Sequence, residues 1–109
     1  MQPDTLDPAR LRTAAALAVA DLKLLANPDR LLLLCQLSQG ESSVGALETL
    51  LGIHQPTLSQ QLGVLRTEGV VATRRSGKQI YYRIANPQLL RVLEMLYAIY
   101  CPQGSPHDD

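Results

Sequence analysis

At 109 residues and 46% apolar content, the chain is long enough for one domain with a modest core and too short for two. With no Phe and no Trp, that core must be built from Leu, Val, Ile and Ala, which favours helices. Ten basic and ten acidic residues cancel, which excludes a non-specific polycation, and no run of 18 apolar residues offers a membrane span.

The first seven residues are polar and are expected to be a disordered tail. Asp7-Pro8 is a cap and first-turn pair that opens a helix through about Leu25. It is rich in alanine (Ala14, Ala15, Ala16, Ala18, Ala20), which permits close approach by another helix. Asn27-Pro28 opens a second helix, with Asp29 in its first turn where a negative charge suits the helix dipole. It runs through the leucines 31–34 and Cys35 to Leu37 and stops near Gly40. A third, short helix spans Val44 to Leu51 and ends at Gly52, a C-cap glycine.

The turn Gly52-Ile53-His54 leads to a fourth helix, from Gln55 to about Glu68. Leu58, Leu62 and Leu65 form its buried stripe, at spacings of four and three. Gln55, Thr57, Ser59 and Gln60 lie on or near its polar face. Such side chains at a helix N-terminus suit the reading of base edges in a DNA major groove. The third and fourth helices make a helix-turn-helix.

Strands at Val70–Thr73 and Ile80–Ile84 then form a two-stranded wing. The basic run Arg74-Arg75-Ser76-Gly77-Lys78 between them can reach neighbouring phosphates. Ile80, Tyr82 and Ile84 alternate with Tyr81 and Arg83, the period of a half-buried strand. Asn86-Pro87 opens a last helix to about Tyr100, stopped by Pro102, and residues 103–109 are expected to be a disordered tail. The expected architecture is a single winged helix-turn-helix domain, mainly α with a small β-wing, of about five helices.

Charge is unevenly placed along this plan. Residues 1–53 hold four Lys/Arg against six Asp/Glu, whereas residues 54–91 hold six Lys/Arg against Glu68 alone. A basic stripe confined to the reading half is the footprint expected on double-stranded DNA. The last helix is apolar nearly all round, with only Arg91 and Glu94 charged between Leu89 and Tyr100. It therefore needs a partner chain, and with the first helix it implies a homodimer on a two-fold operator. Nothing resembles a Ser-His-Asp set, paired catalytic carboxylates or a phosphate-binding glycine loop, so an enzyme is not expected. Without a basic leader the chain is expected to be cytoplasmic, off the membrane, with its two cysteines reduced.

Several linked motifs resemble those of ArsR/SmtB-type winged-helix repressors. They are Leu25-Ala26-Asn27-Pro28-Asp29-Arg30-Leu31, the Gln-Pro-x-x-Ser-x-x-Leu of Gln55 to Leu62, Leu65-Arg66-x-x-Gly69, and Arg75-x-Gly77 to Tyr82-Arg83-Ile84. The resemblance covers about Leu22 to Tyr100 and implies a homodimeric repressor that leaves its operator when an inducer acts. Relatives with a metal site at the third helix carry two thiolates where Ser43 and Gly45 stand here. Those with one on the last helix carry ligands near Asn86, Gln88 and Ile99, which offer none. No metal or cofactor is therefore expected.

Cys35 and Cys101 remain, 66 positions apart. The pair resembles that of the dithiol BigR/SqrR subgroup, which implies a redox switch driven by persulfide or polysulfide. Taken alone, Cys35 reads as a packing residue inside a leucine run, and Cys101, beside Pro102, reads as exposed. Two alternatives stay open: a repressor responding to a metal (through Cys35, Cys101 and His107) or to a small molecule with inert thiols, and a general oxidant sensor. The sequence also departs from the family pattern at His54, where relatives place a phosphate-touching serine. Gly63 replaces a common cation and weakens its helix by about 1 kcal/mol relative to Ala.

Overall fold

A computed structural model describes residues 7–101 of the chain. The element order is α1 (Pro8–Leu25), α2 (Pro28–Leu37), β1 (Ser42–Ser43), α3 (Val44–Leu51), α4 (Thr57–Thr67), β2 (Val71–Ser76), β3 (Gln79–Ile84) and α5 (Pro87–Tyr100). Local chemistry accounts for the starts of three helices. Asp7, Asn27 and Asn86 sit in extended backbone before a proline, and each turns its side-chain oxygen onto free N–H groups of the first turn. The Asn27 oxygen accepts from Arg30 N at 3.0 Å, and Asn86 accepts from Gln88 N and Leu89 N, both at 3.0 Å. Such caps are worth about 0.5–2 kcal/mol each. Gly52 closes α3 at φ 67°, a left-handed conformation that only glycine adopts cheaply.

Two expectations are corrected in detail. The recognition helix begins at Thr57 rather than Gln55, because Pro56 disfavours helical backbone at the residue before it. Gln55 instead lends its side-chain oxygen to Ser59 N at 3.1 Å. The wing is longer than expected and has a third strand. Arg74 and Arg75 belong to β2, in register with Tyr81 and Ile80, and the hairpin turns through Gly77 and Lys78. Gly77, at φ 62°, supplies the positive φ that a two-residue hairpin turn needs. On the other side β3 pairs with β1, Ser42 against Tyr82 and Ser43 against Tyr81, giving the antiparallel order β1-β3-β2.

The core is aliphatic throughout. Leu33, Leu34, Leu47, Leu58, Leu62, Leu65, Leu89 and Leu93 are fully buried, and among the described residues no polar side chain is buried with them. Leu58, Leu62 and Leu65 are the inward stripe of α4, as their spacing predicts. They seat the helix on α2 and leave its other face outward.

Outside this core lie two uncovered helix faces. From Pro8 to Ala20 every residue of α1 is exposed, including Leu11 and Leu17, and only Leu25 at its end is buried. On α5, Leu89 and Leu93 face the core, while Val92, Met95, Ile99 and Tyr100 face out. Among the described residues no helix is long and apolar enough to cross a membrane.

Candidate functional site: reading face and thiol pocket

Three groups of side chains stand apart from the packing. The first lies at the start of α4. Ser59 and Gln60 are exposed on its outer face and Thr57 is half-buried at its first turn. Gln55 is exposed too, although its oxygen is engaged by Ser59 N. His54 precedes them with its Nδ1 3.6 Å from Glu48 Oε2, and its side chain is 79% exposed, so it is a solvated turn residue.

The second group is the wing. Arg75, Lys78 and Arg83 are exposed and free to meet an anion. Arg74 is already engaged. Its Nε and Nη2 donate to the two carboxylate oxygens of Glu41 at 2.8 and 2.7 Å, and its guanidinium lies 4.6 Å from the centre of the Tyr81 ring. That two-pronged bond holds the Glu41 carboxyl below the usual carboxylate range, and the charges of Arg74 and Arg83 add to the effect. Arg74 therefore ties the wing to the turn before β1, and contact with phosphate would require it to leave Glu41.

The third group is a pair of sulfurs. Cys35 on α2 and Cys101 just beyond α5 both line one cavity of about 480 Å³, with Pro28, Leu31, Leu32, Leu96 and Tyr100. No polar surface lines it. Both cysteines are free and half-buried, so neither the core position expected for Cys35 nor the exposed one expected for Cys101 holds. The cause lies in helical geometry. Leu33, Leu34 and Leu37 occupy the core face of α2, which turns Leu31, Leu32 and Cys35 towards the last turn of α5. Burial pushes the Cys35 thiol up, and negative charge on Cys101 pushes it further, so the two sulfurs sense one another. Cys101 N also donates to Tyr97 O at 2.8 Å, which fixes the chain at the end of the helix.

One residue to which the sequence reading gave no role connects these groups. Arg30 lies on α2, five positions before Cys35. Its Nε donates to Leu24 O at 2.9 Å, its Nη2 to Lys23 O at 3.3 Å, and its Nη1 to Gln61 Oε1 at 3.1 Å. A single guanidinium thus binds the C-terminus of α1, the thiol-bearing α2 and the recognition helix α4. Its signal in sequence is slight: an arginine in the first turn of a helix that follows closely on another helix end.

Among the described residues, no group of three or more His, Cys, Asp or Glu is placed to hold a metal. His107, the third ligand of the metal alternative, lies outside the described residues.

Residues 27–73 match the family model described as bacterial regulatory protein, arsR family. The biofilm growth-associated repressor of Agrobacterium fabrum is 57% identical over 94 residues, 86% of this chain and 80% of that protein. The crystal structure of the transcriptional repressor BigR from Xylella fastidiosa superposes with a TM-score of 0.80 at 47% identity, covering 88% of this chain and 98% of that one. A homodimeric winged helix-turn-helix DNA-binding domain from Mycobacterium bovis, Mb0332, matches with a TM-score of 0.67 at 37% identity, covering 90% of this chain and 93% of that one.

Proposed function

The chain belongs to the arsR family of bacterial regulatory proteins, and on that footing we propose that it is a homodimeric transcriptional repressor which releases its operator when sulfur links Cys35 to Cys101. The observation that carries this reading is the shared cavity: two free thiols, distant in sequence, line one apolar space between α2 and the end of α5.

The chemistry suits a persulfide, R–S–SH. The Cys101 thiolate attacks its outer sulfur, the S–S bond breaks, and R–SH leaves with a proton, forming Cys101–S–SH. Cys35, deprotonated to solvent, then attacks the Cys101 sulfur and expels the terminal sulfur as hydrogen sulfide. The sum is two thiols and one persulfide giving a disulfide, R–SH and hydrogen sulfide: the thiols are oxidised and the sulfane sulfur is reduced. Cys101 is assigned the first step because burial pushes the Cys35 thiol up and so makes Cys35 the harder of the two to recruit as the attacking thiolate by its own surroundings. A reducing cytoplasm keeps the resting pair open.

The reading heads are α4 and the wing. Gln55, Thr57, Ser59 and Gln60 face base edges, and Arg75 and Lys78 meet phosphates, joined by Arg74 if it leaves Glu41. The exposed apolar faces of α1 and α5 hold the dimer together and set the spacing of its two α4 helices on a two-fold site. A link between α2 and the end of α5 moves the helix that carries Arg30, and with it the Gln61 contact on α4. The stability difference between the two scaffolds then sets operator affinity. A coupling of about 1–3 kcal/mol corresponds to roughly 5–150-fold.

The test combines operator binding and peptide mass spectrometry on reduced protein exposed separately to a persulfide, peroxide and oxidised glutathione. Persulfide is expected to form the Cys35–Cys101 link and lower operator affinity in parallel. Linkage by all three oxidants would make the protein a general redox sensor. Absence of any link would refute the switch and point to a non-covalent inducer. Within the same binding assay, Gln60→Ala is expected to erode the preference for operator over unrelated duplex by about 1–3 kcal/mol. Arg75→Ala should weaken binding to all duplexes alike. Preserved preference in Gln60→Ala would show that α4 is not the reading helix.

A further inference from the structure

We propose that Arg30 sets the half-site spacing this chain accepts on DNA, because its guanidinium fixes the angle between α1, an arm of the dimer, and α4, the reading helix. This inference rests on the reading of the chain as a dimer on a two-fold operator and is independent of the thiol switch.

The carbonyls that close α1 need partners from outside the helix. Leu24 O would take its helical hydrogen bond from residue 28, which is Pro28 and has no N–H. Arg30 Nε fills that place at 2.9 Å, and Nη2 reaches Lys23 O at 3.3 Å. The third nitrogen, Nη1, donates to Gln61 Oε1 at 3.1 Å. Gln61 is half-buried on α4, whereas Ser59 and Gln60 before it are exposed, so it serves the packing side of the helix and they serve the reading side. Arg30 is itself held, because its backbone N–H donates to Asn27 Oδ1 at 3.0 Å. The three side-chain nitrogens lie in one rigid plane, so their bonds fix direction as well as distance.

The apolar hold on α1 is short. Leu25 is its one buried residue, with Leu24 half-buried beside it. Hydrophobic contact is non-directional, so these two leucines resist separation more than tilting. At 1.5 Å per residue, the 18 residues of α1 make an arm of about 27 Å. A tilt of about 10° at its base moves the far end by about 5 Å, more than the roughly 3.4 Å rise of one base pair. Leu11 and Leu17, exposed side chains that the dimer would cover, lie along that arm. The other half of the seam, α5, is seated on the core by Leu89 and Leu93. The angle of α1 is therefore what the guanidinium decides, and through the dimer it decides how far apart the two α4 helices stand.

The test selects a two-fold duplex from a random-sequence pool with the reduced full chain, then adds or removes one base pair at its centre. The parent is expected to bind the altered spacings about tenfold more weakly. Gln61→Leu removes the acceptor, and is expected to bind both altered spacings within about twofold of the selected one, with half-site affinity unaltered. Arg30→Lys should behave in the same way, because a single ammonium cannot span the three acceptors. Gln61→Glu keeps an acceptor oxygen for Nη1 and is expected to retain the parent's spacing preference. Half-site binding separates positioning from folding, since a merely destabilised chain loses half-site and two-fold affinity together. A parental preference retained in Gln61→Leu or Arg30→Lys would overturn the assignment, as would equal losses on half-site and two-fold duplexes. So would a Gln61→Glu chain as permissive as Gln61→Leu. A parent that selects no two-fold duplex, or tolerates every spacing, would overturn the two-fold reading and this inference with it.

Discussion

Replacing Cys35 by serine is expected to collapse the ratio of operator affinities before and after persulfide treatment from roughly 5–150 to near one. The serine oxygen cannot close the link, so Cys101 halts at its persulfide and α2 stays untethered from the end of α5. The half-buried site makes the variant informative only with a control. A hydroxyl facing a lining without polar surface costs about 1–3 kcal/mol of stability, whereas Cys35→Ala avoids that cost and lacks the sulfur equally. Both variants should lose the response, and only the serine form should melt measurably lower. A response that survives in Cys35→Ala would remove Cys35 from the mechanism, whatever its melting temperature.

Ile99→Glu is the second large effect. Ile99 lies on the outward face of α5, 58% exposed, near Met95 and Val92. A glutamate there costs the isolated protomer little, because the side chain already meets water. In the proposed dimer it buries an unpaired carboxylate at an apolar seam, a serious penalty. The variant is expected to sediment as a monomer and to bind the full two-fold operator about 10²–10⁴-fold more weakly, since the second half-site no longer adds its effective concentration. A half-site duplex should be bound almost as well as by the parent. A dimer of unaltered operator affinity would place the subunit seam elsewhere.

How much of this was legible in the sequence depended on the range of the interaction that carried it. Asp7-Pro8, Asn27-Pro28 and Asn86-Pro87 declare helix starts within a few residues, and the helices begin where those pairs place them. The stripe Leu58, Leu62, Leu65 declares the buried face of α4 by spacing alone. β1 was missed because two residues carry no period, and because Ser43 also serves as the N-cap of α3. The contacts between Arg74 and Glu41, and between Arg30 and Gln61, join residues more than 30 positions apart. Nothing local distinguishes those arginines from exposed ones. The cysteine pair is an intermediate case: its kinship to a known dithiol pattern was visible, but the cavity that joins the two thiols arises only when α2 packs against α5.

The bidentate pairing of Arg74 with Glu41 bears on how this protein would respond to ionic strength. Each cation laid against a DNA phosphate expels condensed counterions, and that release is what makes affinity fall as salt rises, with a log–log slope of about −0.9 per phosphate neutralised. A guanidinium already neutralised by its own carboxylate adds nothing to that release. In the proposed two-fold complex each wing would then act through Arg75, Lys78 and Arg83, and the complex would shed about two fewer ions than its count of wing arginines suggests. Salt would still weaken operator binding through the remaining wing cations, but along a shallower line than the full set of wing arginines implies, and Glu41→Gln, which frees Arg74, would steepen it.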